Sequence, residues 1–95
     1  MSTQEKKATV TVTESGRVAV ISKWYGPTNH RGSRITVRRA DGGGKSLTVG
    51  WDYALGIIEN HAEAIKAYLE MMNWGGNYTV GSTKHGAVAT WAGEA

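Results

Sequence analysis

Cysteine is absent from this chain. Its absence removes disulfides, thiolate nucleophiles and every zinc site built on sulfur, and it suits a reducing compartment. Phenylalanine is absent as well, so tryptophan and tyrosine must supply the large core side chains. No run approaches the ~18 apolar residues of a membrane span, and the first residues lack the apolar stretch of a signal peptide. A soluble intracellular protein without a membrane partner is therefore expected. The three histidines, His30, His61 and His85, show no H-x-x-x-H spacing, so neither a metal nor another cofactor is expected. Asn77-Tyr78-Thr79 fits a glycosylation acceptor pattern, but in such a chain it reads as a polar turn entering a strand.

With 95 residues there is room for one domain, close to the size at which an unstapled core suffices. Formal net charge is +3, and it is unevenly spread. Seven cations (Arg17, Lys23, Arg31, Arg34, Arg38, Arg39, Lys45) fall between Arg17 and Lys45, where Asp41 is the acid. From Ser46 onward the balance reverses, with Asp52, Glu59, Glu63, Glu70 and Glu94 against Lys66 and Lys84. The chain has a basic half and an acidic half.

Residues 1–7 are polar and without periodicity, which predicts a disordered tail ahead of a domain spanning 8–92. Ala8 to Thr13 alternates threonine with apolar residues and predicts a strand, turned by Glu14-Ser15-Gly16 into a second strand, Arg17 to Tyr25. Arg34 to Arg38 and Lys45 to Trp51 predict two more, joined by the Asp41-Gly42-Gly43-Gly44 reversal. A helix follows, with Ile58, Ala62, Ile65, Leu69 and Met72 on its apolar side and Glu59, Glu63, Lys66 and Glu70 opposite; Gly75-Gly76 is expected to end it. Asn77 to Lys84 and Gly86 to Trp91 predict a closing hairpin. The fold class is thus α+β: an antiparallel sheet, a four-stranded meander plus a hairpin-like pair, with one amphipathic helix across one face.

The stretch most suggestive of function is Gly26-Pro27-Thr28-Asn29-His30-Arg31-Gly32-Ser33-Arg34. Proline and glycine shape it, while Thr28, Asn29, Arg31, Ser33 and Arg34 offer donors suited to an anion. Residues two apart on a strand share a face, so Arg34, Thr36 and Arg38 continue the loop as a basic row. Guanidinium groups grip phosphate bidentately, which makes Thr28, Asn29, Arg31, Ser33, Arg34 and Arg38 the candidate anion-binding set. The plainer alternative is a solvated strand face whose arginines pair with the acidic helix. Trp24, Tyr25, Trp51 and Tyr53 flank the loop and suit base stacking or an interface, although in a chain without phenylalanine the core has the stronger claim on Trp51 with Trp24 or Tyr25. Asp52, Glu59 and His61 form the one local acid and imidazole cluster. Asp52 reads as a turn former and His61 as a partly buried helix residue, so no catalytic residue and no enzymatic activity is expected.

The segments Lys23-Trp24-Tyr25-Gly26-Pro27-Thr28-Asn29-His30-Arg31-Gly32-Ser33-Arg34-Ile35, Trp51-Asp52-Tyr53-Ala54-Leu55 and Glu59-Asn60-His61 resemble a family of small uncharacterised proteins encoded by bacteriophages, prophages and plasmids. Its pattern is K-Y-x-G-P-T-N-x-R-G-S-R-I followed by W-D-H-A-L and E-N-H, with Tyr53 here in place of the histidine. The likeness covers about residues 22 to 75. It implies a mobile-element origin and the cytoplasm of a bacterial host, and it assigns no residue a role. The expectation is a non-enzymatic binding protein that holds a phosphate-bearing partner, nucleic acid or nucleotide, at its basic loop. The rival is an effector, active in host takeover or against host defence, that binds a host protein through the same surface. A second copy of the chain is a further partner left open.

Overall fold

The computed structural model describes residues 18–93. Five strands and one helix follow in the order β1 (Val20–Tyr25), β2 (Arg34–Arg39), β3 (Ser46–Gly50), α1 (Ile57–Met71), β4 (Asn77–Ser82) and β5 (Gly86–Gly93). All pairings are antiparallel and the spatial order is β3-β2-β1-β5-β4. The architecture is α+β, one helix over a five-stranded antiparallel sheet.

The closing pair joins the sheet through β5, which pairs with β1 along Val20 to Lys23. β1 is thus paired on both edges, by β2 and by β5. The expected Ala8 to Thr13 strand, the turn after it and the tail at residues 1–7 lie outside the described residues.

Alternation sorts the strands into two faces. Val20 and Ser22 of β1, Ile35 and Val37 of β2, and Ala87 and Ala89 of β5 point to the helix and are buried, with Leu47, Val49, Tyr78 and Val80 packed at the margins. The helix answers with Ala64, Ile65, Tyr68 and Leu69. Its buried stripe also includes Asn60 and His61, so it is rotated from the expected one: Ile58 is left 42 % exposed, and the polar pair occupies the first inward turn.

Asn60 explains the rotation. Its Nδ2 donates to the carbonyls of Asp52, Leu55 and Gly56 (2.9, 3.3 and 3.0 Å), while its Oδ1 accepts the Asp52 N–H (2.8 Å). One amide thus ties the β3 exit and the link after it to the helix start, while the helix N-terminus itself has no side-chain cap. Asp52 Oδ1 in turn accepts the Ala54 N–H (2.9 Å). Asn60→Ala is expected to cost about 2–3 kcal/mol, read as a shifted urea midpoint, because the Asp52 N–H and the Asp52 and Leu55 carbonyls lose this partner together, while the Gly56 carbonyl keeps the Asn60 N–H.

The helix ends before the glycines. Asn73 takes the left-handed conformation (φ 58°), its N–H reaches the Glu70 carbonyl, and the Trp74 N–H reaches back to Leu69 (2.9 Å), which closes a Schellman motif. Trp74 then packs edge-on against Tyr68, ring centroids 6.2 Å apart. Gly75 and Gly76 belong to the link into β4, where Gly76 (φ +108°) permits close approach to Trp91.

Candidate functional site

Antiparallel order brings four connections to one end of the sheet: the β1–β2 loop, the exit of β3, the start of α1 and the β4–β5 turn. The expected site residues other than Arg38 gather around this end, but not as one cluster.

The face of the sheet away from the helix carries the basic row. Register places Tyr25 beside Arg34, Lys23 beside Thr36 and Ile21 beside Arg38, and Thr36 Oγ1 meets Thr48 Oγ1 at 3.1 Å on β3. Tyr25 is bracketed by cations, with Lys23 Nζ 5.1 Å and the Arg34 guanidinium 5.2 Å from its ring centroid. This arrangement holds both charges over one aromatic surface. Arg34 Nη1 also lies 3.5 Å from the Gly26 carbonyl. The strand residues that share this face include no acid among the described residues; Asp52, Glu59, Glu63 and Glu70 all belong to the helix or the link before it. Lys23 was not in the expected set, although its parity with Tyr25 in the sequence could have placed it there.

The expected pairing of the arginines with the acidic helix does not occur, because the sheet separates them. Among the described residues the one ion pair is Arg39 to Asp41 (2.6 Å), on the helix side of β2 and at the far turn. The Gly43 N–H and Arg39 together hold the Asp41 carboxyl below the usual aspartate range. By parity Arg39 lies on the opposite face from the row, whose cations are Lys23, Arg34 and Arg38.

The loop is organised by its own backbone. Thr28 Oγ1 accepts the N–H groups of His30 (3.2 Å) and Arg31 (3.0 Å), and the Thr28 N–H reaches the Arg31 carbonyl (2.6 Å). Thr28 therefore builds the turn that presents Asn29 and Arg31 to solvent. Ser33 is half-buried and its carbonyl accepts the Trp51 N–H (3.1 Å). A depression of about 480 Å³ joins Arg31, Ser33 and Arg34 to Tyr53 across the end of β3. Arg38 stands four residues along β2 from Arg34, on the order of 13 Å away.

The flanking aromatics part company. Tyr25 belongs to the basic face, whereas Trp24 points to the helix side, 46 % exposed, and meets Trp51 edge-on at 6.5 Å. Trp51 is the better buried of the two and meets the His61 ring at 6.2 Å. Beside them opens a larger cavity, about 700 Å³, walled by Trp24, Trp51, Tyr53, Ile57 and His61 and closed by the β4–β5 turn from Ser82 to Gly86. Gly86 is required here: a Cβ at that position would run into the Ser22 carbonyl and the edge of the His61 ring. The expected set named none of the turn residues, since only the β1–β5 pairing, remote in sequence, brings them to the loop.

His61 is 2 % exposed and its Nδ1 lies 2.8 Å from Ser22 Oγ, which is also 3.4 Å from the Ala87 carbonyl. Burial pushes its pKa below the ordinary value near 6.5. In the unfolded chain the imidazole takes up a proton as pH falls through that value, while the folded chain resists to a lower pH. The unfolded state binds more protons in that window, so stability is full above about pH 6.5 and declines as pH drops below it. Urea midpoints at about pH 7.5 and 5.5 should show this fall, and His61→Gln should flatten it.

No group of three or more metal-ligating side chains assembles among the described residues, and none of their helices is long and apolar enough to cross a membrane. Comparison of the chain with known protein families, curated proteins and solved structures gives no match.

Proposed function

We propose that this chain is a non-enzymatic binding protein, of bacteriophage or other mobile-element origin and acting in the cytoplasm of a bacterial host, that holds a phosphate-bearing partner, nucleic acid or nucleotide. The observation that carries the reading is the sheet face, without an acid among the described residues, on which Lys23 and Arg34 bracket Tyr25 and Arg38 extends the row. Cations spaced along a strand suit successive phosphates, and an aromatic ring between them suits a stacked base. Arg31, Ser33 and Asn29 extend the charge and donors toward the loop.

The site is testable by location. In a proton–nitrogen correlation spectrum titrated with an eight-residue oligothymidylate, amides of Lys23, Tyr25, Arg34 and Arg38 should shift while those of Glu63 and Glu70 on the far side of the helix stay. Shifts confined to the helix, or none, would remove the basic face from the account.

A second reading is favoured by one observation. Tyr53 and Ile57 are 82 % and 73 % exposed and line one cavity with half-exposed Trp24, a group of large apolar side chains suited to anchoring a host protein. Such an interface would be insensitive to salt, unlike phosphate recognition by several cations.

A further inference from the structure

The cavity of about 700 Å³ and the arginine depression of about 480 Å³ are not separate features: Ser33, Trp51 and Tyr53 line both. One is aromatic and the other cationic. From this continuity we infer that the end of the sheet is a nucleoside-phosphate site, with the base in the cavity between Trp24, Trp51 and Tyr53 and the phosphate against Arg31 and Arg34. The inference rests on the anion reading for its phosphate half and goes beyond it in assigning the base a place on the opposite side of the sheet from Tyr25.

Each part of the cavity has a chemical counterpart in a nucleotide. Its volume falls within the range of small-molecule sites. Trp24 and Trp51 cross edge to face, so a planar ring laid on one indole meets the edge of the other. Tyr53 stands almost free, 82 % exposed, at the seam between the two depressions, where it can close over a ring that arrives. His61 supplies polarity at the floor: with Nδ1 engaged by Ser22, Nε2 remains as the ring's free hydrogen-bonding atom in a site that is otherwise mostly apolar. Burial holds that imidazole neutral, so it can hydrogen-bond a neutral base edge without setting a charge beside it. The cations that would take the phosphate lie a few residues away, on the loop and at the start of β2. A wholly apolar partner would leave Arg31 and Arg34 without a role, and inorganic phosphate would leave the indoles without one.

Two sources share this chemistry, a free nucleotide and a nucleotide unit of a single strand, and one experiment separates them. The four ribonucleoside 5′-monophosphates, adenosine, inorganic phosphate and an oligothymidylate are titrated calorimetrically into the protein, into Trp24→Leu and into Arg31→Ala. Trp24 lines the cavity alone and Arg31 the depression alone, and both are exposed enough to be replaced without unfolding the domain. The expected result is that a mononucleotide or the oligonucleotide binds more tightly than phosphate or adenosine. Trp24→Leu should weaken it roughly 5- to 100-fold through loss of stacking, and Arg31→Ala should weaken it without affecting adenosine. A preference for the mononucleotide assigns the site to a free nucleotide, and a preference for the oligonucleotide to a strand. If the nucleotides bind no better than phosphate and ignore Trp24→Leu, the base site is overturned while the anion reading stands. If neither they nor the oligonucleotide binds, both fall.

Discussion

Replacing Arg34 and Arg38 together by glutamine should weaken binding of a single-stranded oligonucleotide by about 70-fold at ~50 mM salt and about 10-fold at ~200 mM. These figures come from counter-ion release alone, at about 0.7 of a released ion per neutralised phosphate, for two phosphates no longer neutralised. Glutamine keeps the side-chain stem, so the packing of Arg34 over Tyr25 is largely retained and the fold should melt within a few degrees of the parent. The shape of the loss matters more than its size. A purely electrostatic contribution shrinks as salt rises, whereas a damaged fold or a missing apolar interaction would weaken binding by the same factor at both salts.

The largest effect on stability is expected at Tyr68. Its side chain is fully buried, packs edge-on against Trp74 and donates its hydroxyl to the Lys45 carbonyl at 2.8 Å, which ties the helix to the turn before β3. Tyr68→Ala removes the largest fully buried side chain of the core and should cost about 3–5 kcal/mol. In a domain whose total stability is on the order of 5–15 kcal/mol that loss approaches unfolding. Tyr68→Phe, which deletes only the hydroxyl, should cost about 1 kcal/mol, and denaturant curves of the two variants separate volume from the hydrogen bond.

What could be read from the sequence follows from the range of each interaction. Strands β1, β2 and β3 and the basic row on β2 depend on alternation, a property of neighbouring residues, and their inward sets (Ile35 and Val37, Leu47 and Val49) were legible at once. The helix was legible as a helix but not in its rotation, because hydropathy places Ile58 inside. Nothing local reveals that Asn60 has four backbone groups to satisfy across the β3 exit, which turns Ile58 outward. Its end was misassigned for a similar reason: Gly75-Gly76 is the stronger composition signal, yet Asn73 can take the left-handed cap itself and lets Trp74 reach Tyr68.

The site divides in the same way. Arg34 and Arg38 were placed correctly by parity, and Trp24 and Tyr25, as neighbours on one strand, had to face opposite ways. Their separation, one to the helix side and one to the basic row, was therefore implicit in the sequence. The cavity was not legible. It needs the β4–β5 turn beside the loop, and that placement depends on β5 pairing with β1 across more than sixty residues of sequence. The Trp51-Asp52 and Asn60-His61 segments meet in the fold: the Asn60 amide clasps the Asp52 backbone, and Trp51 and His61 form the wall and floor of the cavity.

The central claim is that the basic face of β1 and β2, with Arg31 of the loop, recognises phosphate, and the most direct test is the salt dependence of binding. The affinity of the parent protein for an oligothymidylate should be measured from ~50 to ~200 mM salt. Engagement of three to four phosphates by Lys23, Arg31, Arg34 and Arg38 predicts a slope of log affinity against log salt near −2 to −3, a loss of roughly 20- to 50-fold across that range. Binding with a slope near zero, or no binding at the lowest salt, would contradict it and leave the exposed apolar group around Tyr53 and Ile57 as the surface to pursue.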